Sequence, residues 1–208
     1  MAIWREQGIS IPSDDSGLAL EGAWQAGQSQ RGGVIAAPHP LMGGSLDHPV
    51  CNEIAFGLFK RGLCSVRFNW RGVGASQGTA TDDPSAAIED FTAAVDHLEA
   101  TIDGEIIAAG YSFGAAVALR ASLLDERVTR LILVSPPVQM IRDLPISELG
   151  RPLHVIVGDR DAYAPAPALL ELVGDITNAR LEVIPHVDHF FGDRGLADLT
   201  ALVCAAVG

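Results

Sequence analysis

Long hydrophobic runs are missing from this chain. No apolar stretch approaches the roughly 20 residues that a bilayer-spanning helix needs. The opening residues 1–7, with Trp4, Arg5 and Glu6 among them, lack the apolar centre of a secretory signal. The expected location is therefore the cytoplasm, with no membrane partner. Positive charge is also scarce: 14 Lys and Arg stand against 26 Asp and Glu, a formal net charge of −12. A phosphate backbone would be repelled, which excludes nucleic acid as a partner. Cysteine is rarer still. Cys51, Cys64 and Cys204 are odd in number, far apart and without the pair spacing of a metal site, so they read as ordinary buried small residues.

What is present is enough for one substantial core. The 208 residues are 48% hydrophobic, which suits a single domain over 1–208. After two amphipathic stretches at 3–11 and 18–24, which read as an antiparallel entry hairpin, short apolar runs alternate with helical patterns. Strands are expected at 33–37, 63–68, 105–110, 130–135, 153–158 and 180–185, and helices at 50–61, 84–101, 113–125, 166–173 and 196–207. Such alternation implies an α/β fold: a mostly parallel, doubly wound sheet with helices on both faces. Only about seventeen residues, including Pro136, Pro137, Pro145 and Pro152, separate the strand ending at Ser135 from the one starting at Leu153. That is too few for a lid domain, and an open site follows.

The most informative segment is Gly110-Tyr111-Ser112-Phe113-Gly114. An apolar run, Ile106 to Ala109, enters it, and an alanine-rich helical run leaves it. A serine hydroxyl is a weak nucleophile at neutral pH and must be lifted to a sharp apex within reach of a base, with glycines on both sides for room. Ser112 is the candidate nucleophile.

Its partners belong at the carboxyl ends of other strands. In His186-Val187-Asp188-His189-Phe190-Phe191, after the last strand, His189 is favoured as base over His186, because it sits later in the loop, just before aromatics that can pin its ring. In Gly158-Asp159-Arg160-Asp161 the acid is Asp161 or Asp159, with Asp161 favoured. Asp159 has the rival role of capping the loop or pairing with Arg160. The chain order Ser, Asp, His matches one hydrolase architecture. For an oxyanion, Phe113 supplies one backbone N–H at the helix start. A second is expected from Pro38-His39-Pro40-Leu41-Met42-Gly43-Gly44, where Pro40 has no N–H and Leu41 is the next residue along. His39 reads as a loop organiser. The stretch Asn69 to Ser76 lacks the third glycine of a dinucleotide fingerprint and the Gly-Lys-Ser/Thr end of a nucleotide loop, so Asn69 and Arg71 are assigned to bonding neighbouring loops.

With these pieces in place the chain resembles the α/β-hydrolase superfamily, and within it the small, lidless, bacterial esterase-like and dienelactone-hydrolase-like members. The resemblance rests on His39 to Gly44, Arg67 to Ser76, Gly110 to Gly114, Gly158 to Asp161 and His189-Phe190-Phe191, and it spans nearly the whole chain. It implies an α/β-hydrolase fold without a lid domain and a triad of Ser112, Asp161 and His189, with backbone oxyanion donors at Leu41 and Phe113. It also implies a small-molecule acyl substrate and no cofactor or metal. One departure is that the usual His-Gly pair of the oxyanion loop is His39-Pro40 here.

The leading expectation is a serine hydrolase acting on carboxylic esters of short acyl chains. Two rivals stand beside it: thioester cleavage or acyl transfer on the same residues, and a ligand- or partner-binding module with little turnover. The sequence fixes neither the leaving group nor the oligomeric state.

Overall fold

A computed structural model describes residues 4–13 and 16–208, leaving the side chains of 193 and 194 undescribed. Eight strands form one sheet in the order β1-β2-β4-β3-β5-β6-β7-β8. The chain runs β1 (Glu6–Pro12), β2 (Ala19–Gln25), β3 (Gly32–Ala36), α1 (Pro49–Lys60), β4 (Cys64–Phe68), α2 (Pro84–Glu99), β5 (Ile106–Tyr111) and α3 (Phe113–Leu124). It continues through β6 (Val128–Val134), α4 (Val138–Ile141), β7 (Leu153–Gly158), α5 (Ala166–Val173), β8 (Ala179–Ile184) and α6 (Asp193–Ala206).

The expected hairpin is present: β1 pairs antiparallel with β2, which pairs antiparallel with β4, while β4, β3, β5, β6, β7 and β8 are parallel to one another. Its expected start at Ile3 lies outside the described residues. The final helix begins at Asp193, three residues before the expected 196. Between β6 and β7 the chain forms only the four-residue α4 and the short 3-10 turn Ile146–Glu148, so no lid domain covers the sheet.

The central strands are buried on both faces, and alternate side chains feed two cores. Val34, Ala108, Leu133 and Val155 join residues of α2, α3 and α5 on one side. Ile35, Ala109, Val134 and Ile156 join α1 and α6 on the other. This two-sided burial is why these runs read as continuously apolar. The strand order reverses at β3 and β5, because the chain goes from β3 to β4 on one side and returns to β5 on the other. Such a switch point opens a crevice at the carboxyl ends of those strands.

Buried polar side chains hold the loops at that end. Asn69 accepts from Leu46 N–H at 2.7 Å, Arg67 Nη1 donates to Leu46 O at 2.5 Å, and Trp70 Nε1 donates to Ala37 O at 3.0 Å. Arg71 binds Asp90, only 1% exposed, through its backbone N–H and guanidinium at 2.8–3.0 Å. The loop-bonding roles expected of Asn69 and Arg71 are what these contacts are. Cys51 and Cys64 are buried, as expected, whereas Cys204 is half-buried. Burial pushes the Cys51 thiol up to about 12, so it stays protonated.

Close backbone approach fixes where α3 begins. A Cβ on Gly114 would lie 2.4 Å from the carbonyl oxygens of Ala36 and Ala37, and one on Gly110 would lie 2.6 Å from the Gly114 carbonyl. Helix and sheet touch there with no side chain between them. Gly114→Ala is therefore expected to lower stability by about 1–3 kcal/mol through overpacking, read as a lower denaturation midpoint at unchanged m-value. Gly8→Ala, where a Cβ meets nothing within 4 Å, should stay within about 0.5 kcal/mol. Equal midpoints for the two variants would refute the close packing.

Candidate active site

Ser112 sits at the end of β5 with φ 54° and ψ −120°, a backbone state that side-chain-bearing residues adopt rarely. Such a conformation costs on the order of 1–3 kcal/mol and persists where the surroundings over-determine it. Here Ser112 N–H donates to Val134 O at 2.9 Å, and Ser112 O accepts from the N–H groups of Ala115 and Ala116 in the first turn of α3. The side chain does not cap its own helix, the common use of a serine at this position. Its hydroxyl is turned to another partner.

That partner is His189, in the loop between β8 and α6. His189 Nε2 lies 3.0 Å from Ser112 Oγ, and Nδ1 lies 2.8 and 3.0 Å from the two carboxylate oxygens of Asp161, in the loop after β7. Asp161 also accepts from the N–H groups of Tyr163 and Ala164 at 2.9 and 2.8 Å. Burial pushes the Asp161 pKa up, but the hydrogen bond from His189, the nearby Ser135 hydroxyl and the Ala164 N–H outweigh it and leave the group below the usual carboxylate value. An ionised carboxylate only accepts, so the proton of neutral His189 sits on Nδ1 and the Nε2 lone pair faces Ser112.

The two unsettled choices from the sequence have distinct places. Asp159 accepts from His186 N–H at 2.7 Å, and Arg160 Nη2 lies 3.0 Å from His186 Nδ1. Asp159 and His186 thus tie the β7 loop to the β8 loop on the exposed side, away from Ser112. The aromatics expected to pin His189 are there: Phe190 meets its ring edge-on at 5.6 Å, while Phe191 is buried against Tyr111.

The loop after β3, from which a second donor was expected at Leu41, has a defined local structure. Pro40 starts a 3-10 turn, Pro40–Met42, in which His39 is the cap, and Leu41 N–H donates to His39 Nδ1 at 3.3 Å. Met42 and Gly44 N–H both donate to His39 O. The Leu41 amide thus has the His39 ring as its partner, and the cavity is lined by His39, Met42, Gly43 and Gly44 of this loop. The physical reason is proline at the first position of the turn, which shapes the loop around the histidine before it. Phe113, by contrast, lines the cavity at the first position of α3, where its N–H has no carbonyl one turn back.

Three residues that sequence reasoning missed complete the site. Tyr111 O–H donates to His189 O at 2.7 Å, clamping the loop that carries the imidazole. His48 stacks on Tyr111 at 4.7 Å and accepts from Val50 N–H through Nδ1, which leaves the Nε2 proton on the cavity wall. Burial and the neighbouring His189 hold His48 below the ordinary histidine pKa, so it is neutral at pH 7. Tyr163 packs 4.7 Å from the His189 ring. Tyr111 stood inside the pentapeptide as a possible signal; nothing local marked the other two.

These residues enclose a cleft of about 320 Å³ walled by Met42, Phe113, Pro137, Met140, Tyr163 and Phe190. No Lys, Arg, Asp or Glu lines it. Met42 and Phe190 are 78% and 68% exposed, which leaves an apolar rim open to solvent. Among the described residues, no group of three His, Cys, Asp or Glu is placed to hold a metal ion, and no helix is long and apolar enough to cross a membrane.

Known proteins are similar to this chain to different extents. A serine hydrolase homologue from Coxiella burnetii superposes with a TM-score of 0.89 at 28% identity, covering 100% of both chains. A Xanthomonas campestris protein described as a serine hydrolase without a lid gives 0.84 at 27% identity, over 98% of this chain and 94% of its own. A thiohydrolase of Arthrinium phaeospermum is 29% identical over 76% of this chain, although the match spans only 53% of that enzyme. The model of the alpha/beta hydrolase fold family matches residues 39–148, more than half of the chain and the part that holds the loop after β3 and the serine turn. The chain belongs to the alpha/beta hydrolase fold family.

Proposed function

We propose that this hydrolase cleaves carboxylic esters of short, uncharged acyl groups through an acyl-enzyme on Ser112. The observation that carries the reading is the unbroken line from Ser112 Oγ through His189 to Asp161, with both contacts at 2.8–3.0 Å in a water-accessible apolar cleft. In this reading His189 Nε2 takes the Ser112 proton as Oγ attacks the acyl carbon, and the carbonyl oxygen becomes the oxyanion. His189 returns that proton to the departing alcohol. Water then repeats the cycle, and the carboxylic acid leaves. Asp161 keeps the imidazole in the receptive tautomer and stabilises its cation in both halves.

The oxyanion rests on the Phe113 amide. Leu41 can join only by giving up its 3.3 Å bond to the His39 ring, which is long enough to exchange for a charged acceptor. A volume of about 320 Å³ lies at the small end of ligand cavities, and its uncharged walls favour an acyl group without ionised substituents.

A second reading, thioester cleavage or acyl transfer, is favoured by the thiohydrolase and polyketide transferase names of its curated relatives. Paired oxygen-ester and thioester substrates with the same acyl group separate the two. Preference for the oxygen ester supports the first reading, and a large preference for the thioester supports the second.

A fluorophosphonate probe should label the wild type once, detected by intact mass, and should fail to label Ser112→Ala. Labelling of the alanine variant, or none of the folded wild type, would sink the mechanism. Asp161→Asn should keep the fold but present an amide N–H to the imidazole, lowering kcat/KM by about 10⁴ through the wrong tautomer. The same substitution has a sign in stability. Because the folded Asp161 pKa lies below the ordinary value, its contribution is complete above about pH 4 and is lost as pH falls toward the folded value. The stability gap between wild type and Asp161→Asn should therefore narrow on acidification. A gap that widened in acid would contradict the assignment.

A further inference from the structure

We propose that a second cleft, at the amino ends of β6, β7 and β8 and on the opposite end of the sheet from Ser112, binds a compact phosphate-type dianion. It measures about 300 Å³ and is lined by Arg130, His154 and Arg180 with Thr177, Asn178 and the end of α6. The β-sheet register brings the three basic groups together. His154 pairs with Arg180 across β7 and β8, and with Ile132 across β6, which places Arg130 one step nearer the strand start on the same face. A shift of one residue in any strand would send its side chain to the other face.

The cluster gathers three basic side chains in one cleft without an ion pair among them. The chain has nearly two acidic residues for each basic one, yet among the described residues Arg130, His154 and Arg180 make no ion pair. Elsewhere Arg71 is paired with Glu89 and Asp90, and Arg127 with Asp96, Glu99 and Asp125. Glu182, two residues beyond Arg180 on β8, lies on the same face one step further from the cleft. Arg130 Nη1 donates to Ala206 O at 2.9 Å at the end of α6, while its Nε is shielded from solvent with no acceptor. A guanidinium in that state still has donors to give. Burial lowers the His154 pKa, and the charges of Arg130 and Arg180 lower it further, a field that a bound anion would relieve.

A dianion fits this set better than a monoanion, because two permanent cations and one recruitable imidazolium face it. Planar, forked donors on two arginines suit tetrahedral oxygens, and Thr177 and Asn178 add neutral donors at the rim. The two clefts lie at opposite ends of strands six or seven residues long, about 20 Å apart at 3.3 Å per residue. Phosphate here would therefore leave the Ser112 chemistry directly untouched.

The test is an NMR titration of the full chain with inorganic phosphate, at ionic strength held constant with sodium chloride. Saturable shifts confined to β6, β7, β8 and the end of α6 are expected, with the His154 pKa rising as phosphate binds. Arg180→Gln and His154→Gln should each weaken binding at least tenfold, while fluorophosphonate labelling of Ser112 stays unchanged. Arg130 is left intact because it caps α6. Methyl phosphate should bind like phosphate, and succinate at least tenfold more weakly. Three results would each overturn the proposal: no saturable shift, the same saturable shift in the double variant Arg180→Gln/His154→Gln, or succinate binding as tightly as phosphate. A shift that moves instead with Arg61→Gln, in the neighbouring cleft, would also overturn it.

Discussion

The contact between the start of α3 and the ends of β3 and β5, made through bare backbone at Gly110 and Gly114, is the constraint on which the rest of this structure depends. Atoms of Ala36 and Ala37 occupy the space where a Gly114 side chain would be. With the helix drawn in that far, the chain has one residue in which to turn from strand to helix. That residue is Ser112, and the turn forces its φ to 54°. The unfavourable backbone state is held by ordinary hydrogen bonds on either side, to Val134 behind and to the first turn of α3 ahead. The serine is raised from the sheet edge because it cannot lie flat, and its N–H neighbour at Phe113 is left at the open end of a helix for the same reason.

A second set of constraints holds the loop after β3 beside that serine, and it is polar where the first is steric. Residues of β4 and just beyond it grip the loop after β3: Arg67 and Asn69 hold both sides of the Leu46 peptide, and Trp70 binds the carbonyls of Ala37 and Pro38. Buried groups such as these are costly if left unpaired. A loop displaced from its place would strand a guanidinium, an amide and an indole N–H together. The penalty makes the loop position nearly all-or-none, which a flexible apolar contact would not achieve. Asp90 does the same for the next loop through Arg71.

Much of this was legible in the sequence, and the limits have physical causes. The buried strands announced themselves because each is apolar on both faces and bounded by turns; β7 occupies 153–158 as read. Ser112, Asp161 and His189 were legible because a strained turn needs glycine and because α/β sites gather at strand ends. The choice of Asp161 over Asp159 rested on no spacing rule; it is decided by which carboxylate the β7 loop turns inward, and by the rival demand of His186 N–H. The bond from Leu41 N–H to the His39 ring was not legible, because the direction of an amide depends on the loop's three-dimensional path, and Pro40 bends that path around His39. His48 and Tyr163 come from distant segments and meet only at the cleft. The four-residue α4 is too short to carry a periodic signal.

The charge of the molecule and the apolar character of its cleft answer different needs. An apolar mouth rimmed by Met42, Tyr163 and Phe190 is a surface on which copies of a neutral protein would associate. A net charge of −12 opposes that association, while no Asp or Glu is among the residues that line the cleft. Asp161, the acid bonded to His189, is 4% exposed and lies behind the imidazole it binds. That carboxylate thus sits on the far side of His189 from Ser112, where in the proposed mechanism it favours the imidazolium. An open site without a lid tolerates water in its cleft, so the local field must come from groups already fixed in place rather than from closure. The stacked rings of His48, Tyr111 and His189, locked by the Tyr111 hydrogen bond to the His189 carbonyl, are the means by which this fold keeps its imidazole fixed while leaving its entrance open.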